Sequence, residues 1–166
     1  MLRLIPAPLH RGGLVIAHRL RLVWWRVRRP VLNGCRVLAF DDEGRVLLVR
    51  HSYGSRRWML PGGGFSARED PVDAAQRELR EEVGCGLTES ALVTVIEEPL
   101  SGATNRVHIV SGRLDSTPRA DGREIVEARA FAPDALPEGM AASVEAGLPG
   151  WIRAGEAARR RPPEDR

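Results

Sequence analysis

Residues 63–85 read GGFSAREDPVDAAQRELREEVGC. Within them Glu78, Glu81 and Glu82 stand at i, i+3 and i+4 of a segment that should be helical. A helix sets such residues on adjoining lines of one surface, so their charges crowd together. Like charges so placed oppose folding by about 0.2–0.5 kcal/mol per pair. A compensating partner is expected, and a hard divalent cation with oxygen ligands is the obvious candidate.

The local signals for that helix agree with one another. Asp70-Pro71-Val72-Asp73 combines an N-cap acceptor, a proline at the first helical position and an acid two residues on. Gly84 and Gly86 supply a stop. At about 100° per residue, Val72, Ala75, Leu79 and Val83 share one stripe facing a core. The three glutamates border that stripe, where a cleft could form. The plainer reading is a solvated acidic face paired with arginines. Before the helix, Trp58-Met59-Leu60-Pro61-Gly62-Gly63-Gly64 ends an apolar run in a turn whose glycines permit close backbone approach. By itself that stretch is also compatible with an ordinary tight turn.

The spacing G-x5-E-x7-R-E-U-x-E-E-x-G-U, with U apolar, is that of the Nudix box. Gly63, Glu69, Arg77, Glu78, Leu79, Glu81, Glu82 and Gly84 occupy its fixed positions, and Cys85 fills the last as a small hydrophobe. The chain therefore resembles the Nudix hydrolases over about residues 34–150. The resemblance implies an α/β/α sandwich with a mixed sheet. It also implies magnesium-dependent attack of water on the pyrophosphate of a nucleoside diphosphate linked to a group X, with Mn²⁺ as a substitute metal. It casts Glu78, Glu81, Glu82 and the carbonyl of Gly62 or Gly63 as metal ligands. Arg77 would orient Glu78 through a charge-assisted hydrogen bond. A glutamate of the box, or a loop acid near Glu124, would take the proton from water. Glu69 is expected to stabilise the helix start.

Other polar residues are weaker candidates. Arg50, His51, Tyr53, Arg56 and Arg57 crowd the loop before Trp58. Arg36, Arg50 and Arg57 are the candidate substrate arginines, able to clamp phosphate oxygens in pairs; an exposed basic loop is the alternative. Glu124 and Glu127 precede or enter the last strand, and His108 reads as structural. Pro99 lies fourteen residues past Cys85, out of register with the proline of family members that cleave ADP-ribose. Nucleoside triphosphates, ADP-ribose and other nucleotide sugars stay open as substrates.

All 25 basic residues are arginine, which excludes P-loop and Schiff-base lysine chemistry. Cys35 and Cys85 form neither a disulfide framework nor a zinc spacing, and a reducing, bacterial cytoplasm fits them. Residues 1–40 hold eight arginines and no acid, leaving 17 arginines against 22 acids elsewhere, a formal −5. Residues 14–29, LVIAHRLRLVWWRVRR, have helical period, with Ile16, Leu20, Val23, Trp24 and Val27 on one face and arginines on the other. This amphipathic helix could pack on its own domain or on a second subunit in a homodimer. It could also lie on an anionic membrane surface, and nucleic-acid contact is the least favoured option.

The expected organisation is a basic arm at 1–33, a catalytic domain at 34–150 and a partly disordered tail at 151–166. Strands are expected over 34–40, 45–50, 91–97, 107–114 and 125–131, with a short helix starting at 141–147. A catalytically silent ligand sensor or a membrane-recruited binding domain is the competing functional class, although the box is undamaged.

Overall fold

The computed structural model describes residues 31–100 and 103–159. They form β1 (Val31–Phe40), β2 (Val46–His51), β3 (Gly64–Phe65), α1 (Pro71–Val83), β4 (Leu87–Leu100), β5 (Ala103–Leu114), β6 (Ile125–Phe131) and α2 (Ala142–Arg159). The sheet runs β4-β5-β1-β2-β6, with β3 on β1. β1 and β5 are parallel from Val31↔Thr104 to Phe40↔Arg113, while the other pairs are antiparallel. The expected mixed α/β fold is present; the amphipathic helix over 14–29 lies outside the described residues.

Alternation along the strands feeds two cores. Cys35, Val37, Ala39, Leu47, Val49 and Val110 face α1, where Ala74, Ala75, Leu79 and Val83 cover them. Leu38, Phe40, Val46, Leu48, Val107 and Ile109 point the other way, under Val144, Leu148, Trp151 and Ile152 of α2. The result is a helix on each face of the sheet.

β1 and β2 meet only near their turn, at Phe40↔Val46. Further on they part, and residues 59–63 wedge between them. Val49 exchanges two backbone bonds with Met59 on one side, at 2.9 and 3.0 Å. On the other, the Val37 N–H donates to the Pro61 carbonyl at 2.8 Å and the Cys35 N–H to the Gly63 carbonyl at 2.9 Å. The glycine turn is thus bonded into the middle of the sheet.

Helix α1 begins as expected. Asp70 is its N-cap, accepting from the Val72 N–H at 2.8 Å, Pro71 follows, and Gly84 closes it at φ 72°. Helix α2 differs from expectation, running to Arg159 through the stretch read as tail. Gly147, Pro149 and Gly150 read locally as breakers, but burial of Val144, Leu148, Trp151 and Ile152 outweighs them. β1 likewise starts at Val31, inside the stretch assigned to the arm, and β4 extends well beyond 91–97. Residues 160–166 lie outside the described part.

α2 approaches the sheet closely at Gly155, where an added Cβ would lie 3.0 Å from Ser111 Oγ and 3.3 Å from Ser111 Cβ. At Gly150 it would meet nothing within 4 Å. Gly155→Val is expected to cost about 1–3 kcal/mol through overpacking. Gly150→Ala should instead add about 0.5–1 kcal/mol from helix propensity. Urea denaturation of the two variants should move the midpoint in opposite directions.

Candidate active site

The wedge brings the glycine turn against α1. Gly62 has φ 141°, a conformation open to glycine, and a Cβ there would collide with the Cys35 carbonyl. Its N–H donates to Glu82 Oε2 at 3.1 Å. Glu82 is buried at 5% exposure, and among the described residues only Ser111 joins it as a buried polar residue. Burial pushes its carboxyl up to about 8; the Gly62 N–H opposes this, while Glu78, Glu124 and Asp121 add to it through their charges.

Glu78 lies one helical turn back, against Gly63. A Cβ on Gly63 would come within 2.5 Å of Glu78 Oε2, so glycine is needed to make room for this carboxylate. Burial raises the Glu78 carboxyl as well; Arg77 opposes this, and Glu81 and Glu124 reinforce it. Arg77 Nη1 donates to Glu78 Oε1 at 2.7 Å. The same guanidinium grips Glu69 at 2.9 and 3.3 Å and stands 3.5 Å from Glu81. Glu69 therefore braces Arg77, whereas Asp70 caps the helix. Glu81 is the outlier of the three glutamates, 63% exposed at its side chain.

Glu124 sits on the turn before β6, close enough for its charge to raise both Glu78 and Glu82. Asp121 shapes that turn, accepting from the N–H groups of Arg123, Glu124 and Ile125 at 3.0, 3.0 and 2.8 Å. Ser52 ties it to β2, its N–H donating to the Glu124 carbonyl and its hydroxyl to the Arg123 carbonyl. Asp121 was not among the sequence candidates, although Asp121-Gly122 is a turn signal.

The acids outnumber the cations in this corner. Glu78, Glu82, Glu124 and Asp121 interact, and Arg77 is the guanidinium bonded into the group. Among the described residues, no three carboxylate, imidazole or thiol groups converge as a ready-made cage. Glu78 is turned to Arg77, Glu82 to Gly62, and Glu81 to solvent. The donor chemistry still fits a hard cation: oxygen ligands, buried like charges and a backbone turn at the same point.

The arginines are placed differently. Arg36 lies under α2, bound to Glu98 through both Nη atoms at 2.8 and 2.7 Å, beside Ser143 and 5.9 Å from the Trp151 ring. Arg50 stacks 4.3 Å over Trp58 and reaches Glu127 at 3.3 Å. Arg57 is exposed and donates to the Met140 carbonyl at 3.3 Å. His108 packs edge-on against Phe65 with Nδ1 3.3 Å from the Gly34 carbonyl, a structural position. A cleft beside the β1–β2 turn is lined by Asp41, Asp42, Glu43 and Asp115, but these already pair with Arg45, Arg113 and the Gly86 N–H.

A two-helix sandwich whose glycine turn meets an acidic helix is a class of fold with known relatives. The NUDIX domain family matches residues 32–153. The chain belongs to the Nudix hydrolase family. It is 41% identical over 70 residues to an RNA pyrophosphohydrolase of Halorhodospira halophila, covering 42% of this chain and 34% of that protein. It is 42% identical over 82 residues to an ADP-ribose pyrophosphatase of Mycobacterium tuberculosis, covering 46% of this chain and 40% of that one. The chain thus spans well under half the length of these curated relatives. The solved MutT NUDIX hydrolase from Burkholderia pseudomallei superposes with a TM-score of 0.64 at 25% identity, over 72% of this chain and 96% of that one.

The glycines of the turn are separable by mutation. Gly63→Ala should drive a methyl into the Glu78 carboxylate and lower turnover by roughly 100-fold, the cost of misplacing a site group by about 1 Å. Gly64→Ala, whose Cβ would meet only the Asn33 carbonyl at 3.8 Å, should keep parental rates. Steady-state kinetics on a substrate of the parent protein, beside thermal melts, checks both.

Proposed function

We propose that this chain is a Mg²⁺-dependent pyrophosphohydrolase that cleaves a nucleoside diphosphate linked to a group X by attack of water on phosphorus. The observation that carries the reading is Glu82, buried beside Glu78 and the Glu124 turn without a guanidinium of its own. A carboxylate in such company stays ionised only at a cost, which either protonation or a bound cation relieves, and a cation in addition answers the charges of Glu78 and Glu124. Family membership supports a hydrolase acting on pyrophosphate bonds. The names of the two curated relatives, one acting on RNA and one on ADP-ribose, support a nucleotide-type substrate.

Glu78, Glu81 and Glu82, with the Gly62 carbonyl, are the proposed metal ligands. Bound there, Mg²⁺ supplies charge neutralisation to the pyrophosphate and lowers the pKa of water. Mn²⁺ meets the same oxygen donors. Arg77 holds Glu78 in place and is itself held by Glu69. Glu124 or a glutamate of α1 accepts the water proton. Arg57 and Arg50 are the proposed contacts to substrate phosphates, whereas Arg36, expected from the sequence to join them, is held by Glu98 through both Nη atoms. Free, buried Cys35 and Cys85 support a reducing cytoplasm. No described helix is long and apolar enough to cross a membrane.

Hydrolysis should be assayed over nucleoside triphosphates, ADP-ribose, nucleotide sugars and 5′-triphosphorylated RNA with Mg²⁺, beside Glu82→Gln. The parent should turn over at least one, and the variant should lose on the order of 100-fold or more. A parent inert on every substrate would leave a silent ligand sensor as the better reading, and a variant equal to an active parent would remove Glu82 from the metal site. Ligand linkage gives a second measurement. Mg²⁺ at about 100 times its dissociation constant should stabilise the parent by roughly 2.7 kcal/mol, and Glu82→Gln by far less, in thermal melts.

A further inference from the structure

Strand β2 holds both halves of the acidic corner. At Val49 it exchanges two backbone bonds with Met59, which begins the segment whose Gly62 N–H meets Glu82. Three residues on, about 10 Å along the strand, Ser52 holds the Glu124 turn. Between the two the β2–β6 register breaks at Arg50/His51, and the ladder ends at His51↔Ile125. The turn therefore lies beyond the pairing that fixes β6.

Two kinds of bond act on that turn. Asp121 accepts from the N–H groups of Arg123, Glu124 and Ile125, and the Gly122 N–H donates to the Ile125 carbonyl at 2.9 Å. All of these stay within residues 121–125, so they set the shape of the turn and leave its placement open. Placement comes from Ser52, 71 residues before Arg123 in the chain. Its hydroxyl donates to the Arg123 carbonyl at 2.7 Å and its N–H to the Glu124 carbonyl at 2.8 Å. Among the described residues no side chain bonds the Glu124 carboxylate, so its reach is set by where its backbone lies.

We infer that Ser52 is a positioning residue of the site, fixing Glu124 relative to Glu78 and Glu82 through the backbone of the 121–125 turn. The inference rests on the hydrolase reading above, with Glu124 as the acid that takes the proton from water. Without the hydroxyl the Arg123 carbonyl loses its partner, and the turn can shift while Asp121 keeps its shape. A displacement of about 1 Å at a proton-accepting group is enough to slow the chemical step. Ser52 lies outside both cores, so alanine is accommodated there.

The test compares the parent with Ser52→Ala, Ser52→Thr, Glu124→Gln and the double variant of Ser52→Ala with Glu124→Gln. Each is assayed with Mg²⁺ on whichever of a nucleoside triphosphate, ADP-ribose, a nucleotide sugar or 5′-triphosphorylated RNA the parent hydrolyses fastest. Glu124→Gln should lower kcat roughly 100-fold, and Ser52→Ala about tenfold. Ser52→Thr, which keeps the hydroxyl, should recover most of that loss. The double variant should be no slower than Glu124→Gln alone, because a misplaced amide has no proton transfer left to lose. A hydroxyl that only stabilised the fold would slow both backgrounds alike, so losses that multiply would overturn the proposal. Ser52→Ala at the parental rate would overturn it as well, and so would Glu124→Gln at that rate. A parent inert on all four substrates is a different failure, which removes the hydrolase reading and this inference with it.

Discussion

The insertion of residues 59–63 between β1 and β2 is the constraint on which the site depends. A hairpin would ordinarily stay paired along its length, but here the strands separate after Phe40↔Val46. The turn takes over the bonding of β1 at Cys35 and Val37 and of β2 at Val49. Buried backbone groups demand partners, so the turn cannot slip without orphaning several at once. Its amide at Gly62 is therefore fixed relative to α1, and Glu82 has one place to go. The glycines follow from this: Gly62 because the Cys35 carbonyl leaves no room for a Cβ, Gly63 because Glu78 occupies the space.

Electrostatics then divides three glutamates of similar spacing into different roles. Glu82 is buried and raised, Glu78 is partly buried and steadied by Arg77, and Glu81 is solvated. Arg77 reaches three acids, and Glu69 holds the guanidinium from behind. Replacing this arginine by lysine would keep the charge and lose the fork that holds two carboxylates together.

Much of this was legible in the residues. Asp70, Pro71 and Gly84 marked the helix because caps act locally, and the stripe Val72, Ala75, Leu79, Val83 told which face is covered. The span 125–131 was also legible, as a run between turn signals. What stayed hidden was non-local. Pro149, Gly147 and Gly150 oppose a long α2 locally, and burial of Val144, Leu148, Trp151 and Ile152 against the sheet outweighs them. That Asp121 organises the Glu124 turn depends on β6 returning beside β2. That Arg36 belongs to Glu98 depends on β4 lying two strands away, which no spacing in the chain encodes.

That last pairing bears on how phosphate would be held. Arg36 and Glu98 meet through two short bonds, with side-chain exposures of 14% and 22%. Diverting Arg36 to a ligand would leave Glu98 partly buried without its partner, a cost that a new phosphate contact must first offset. Arg50 is tied less firmly, by a 3.3 Å bond to Glu127 and by the face of Trp58, and its Nε is buried without a partner. Arg57 is exposed and gives up only one 3.3 Å bond to a carbonyl. Ranked by what each must surrender, Arg57 is freest to meet an anion, Arg50 can share one, and Arg36 serves best by holding β4 and α2 against β1.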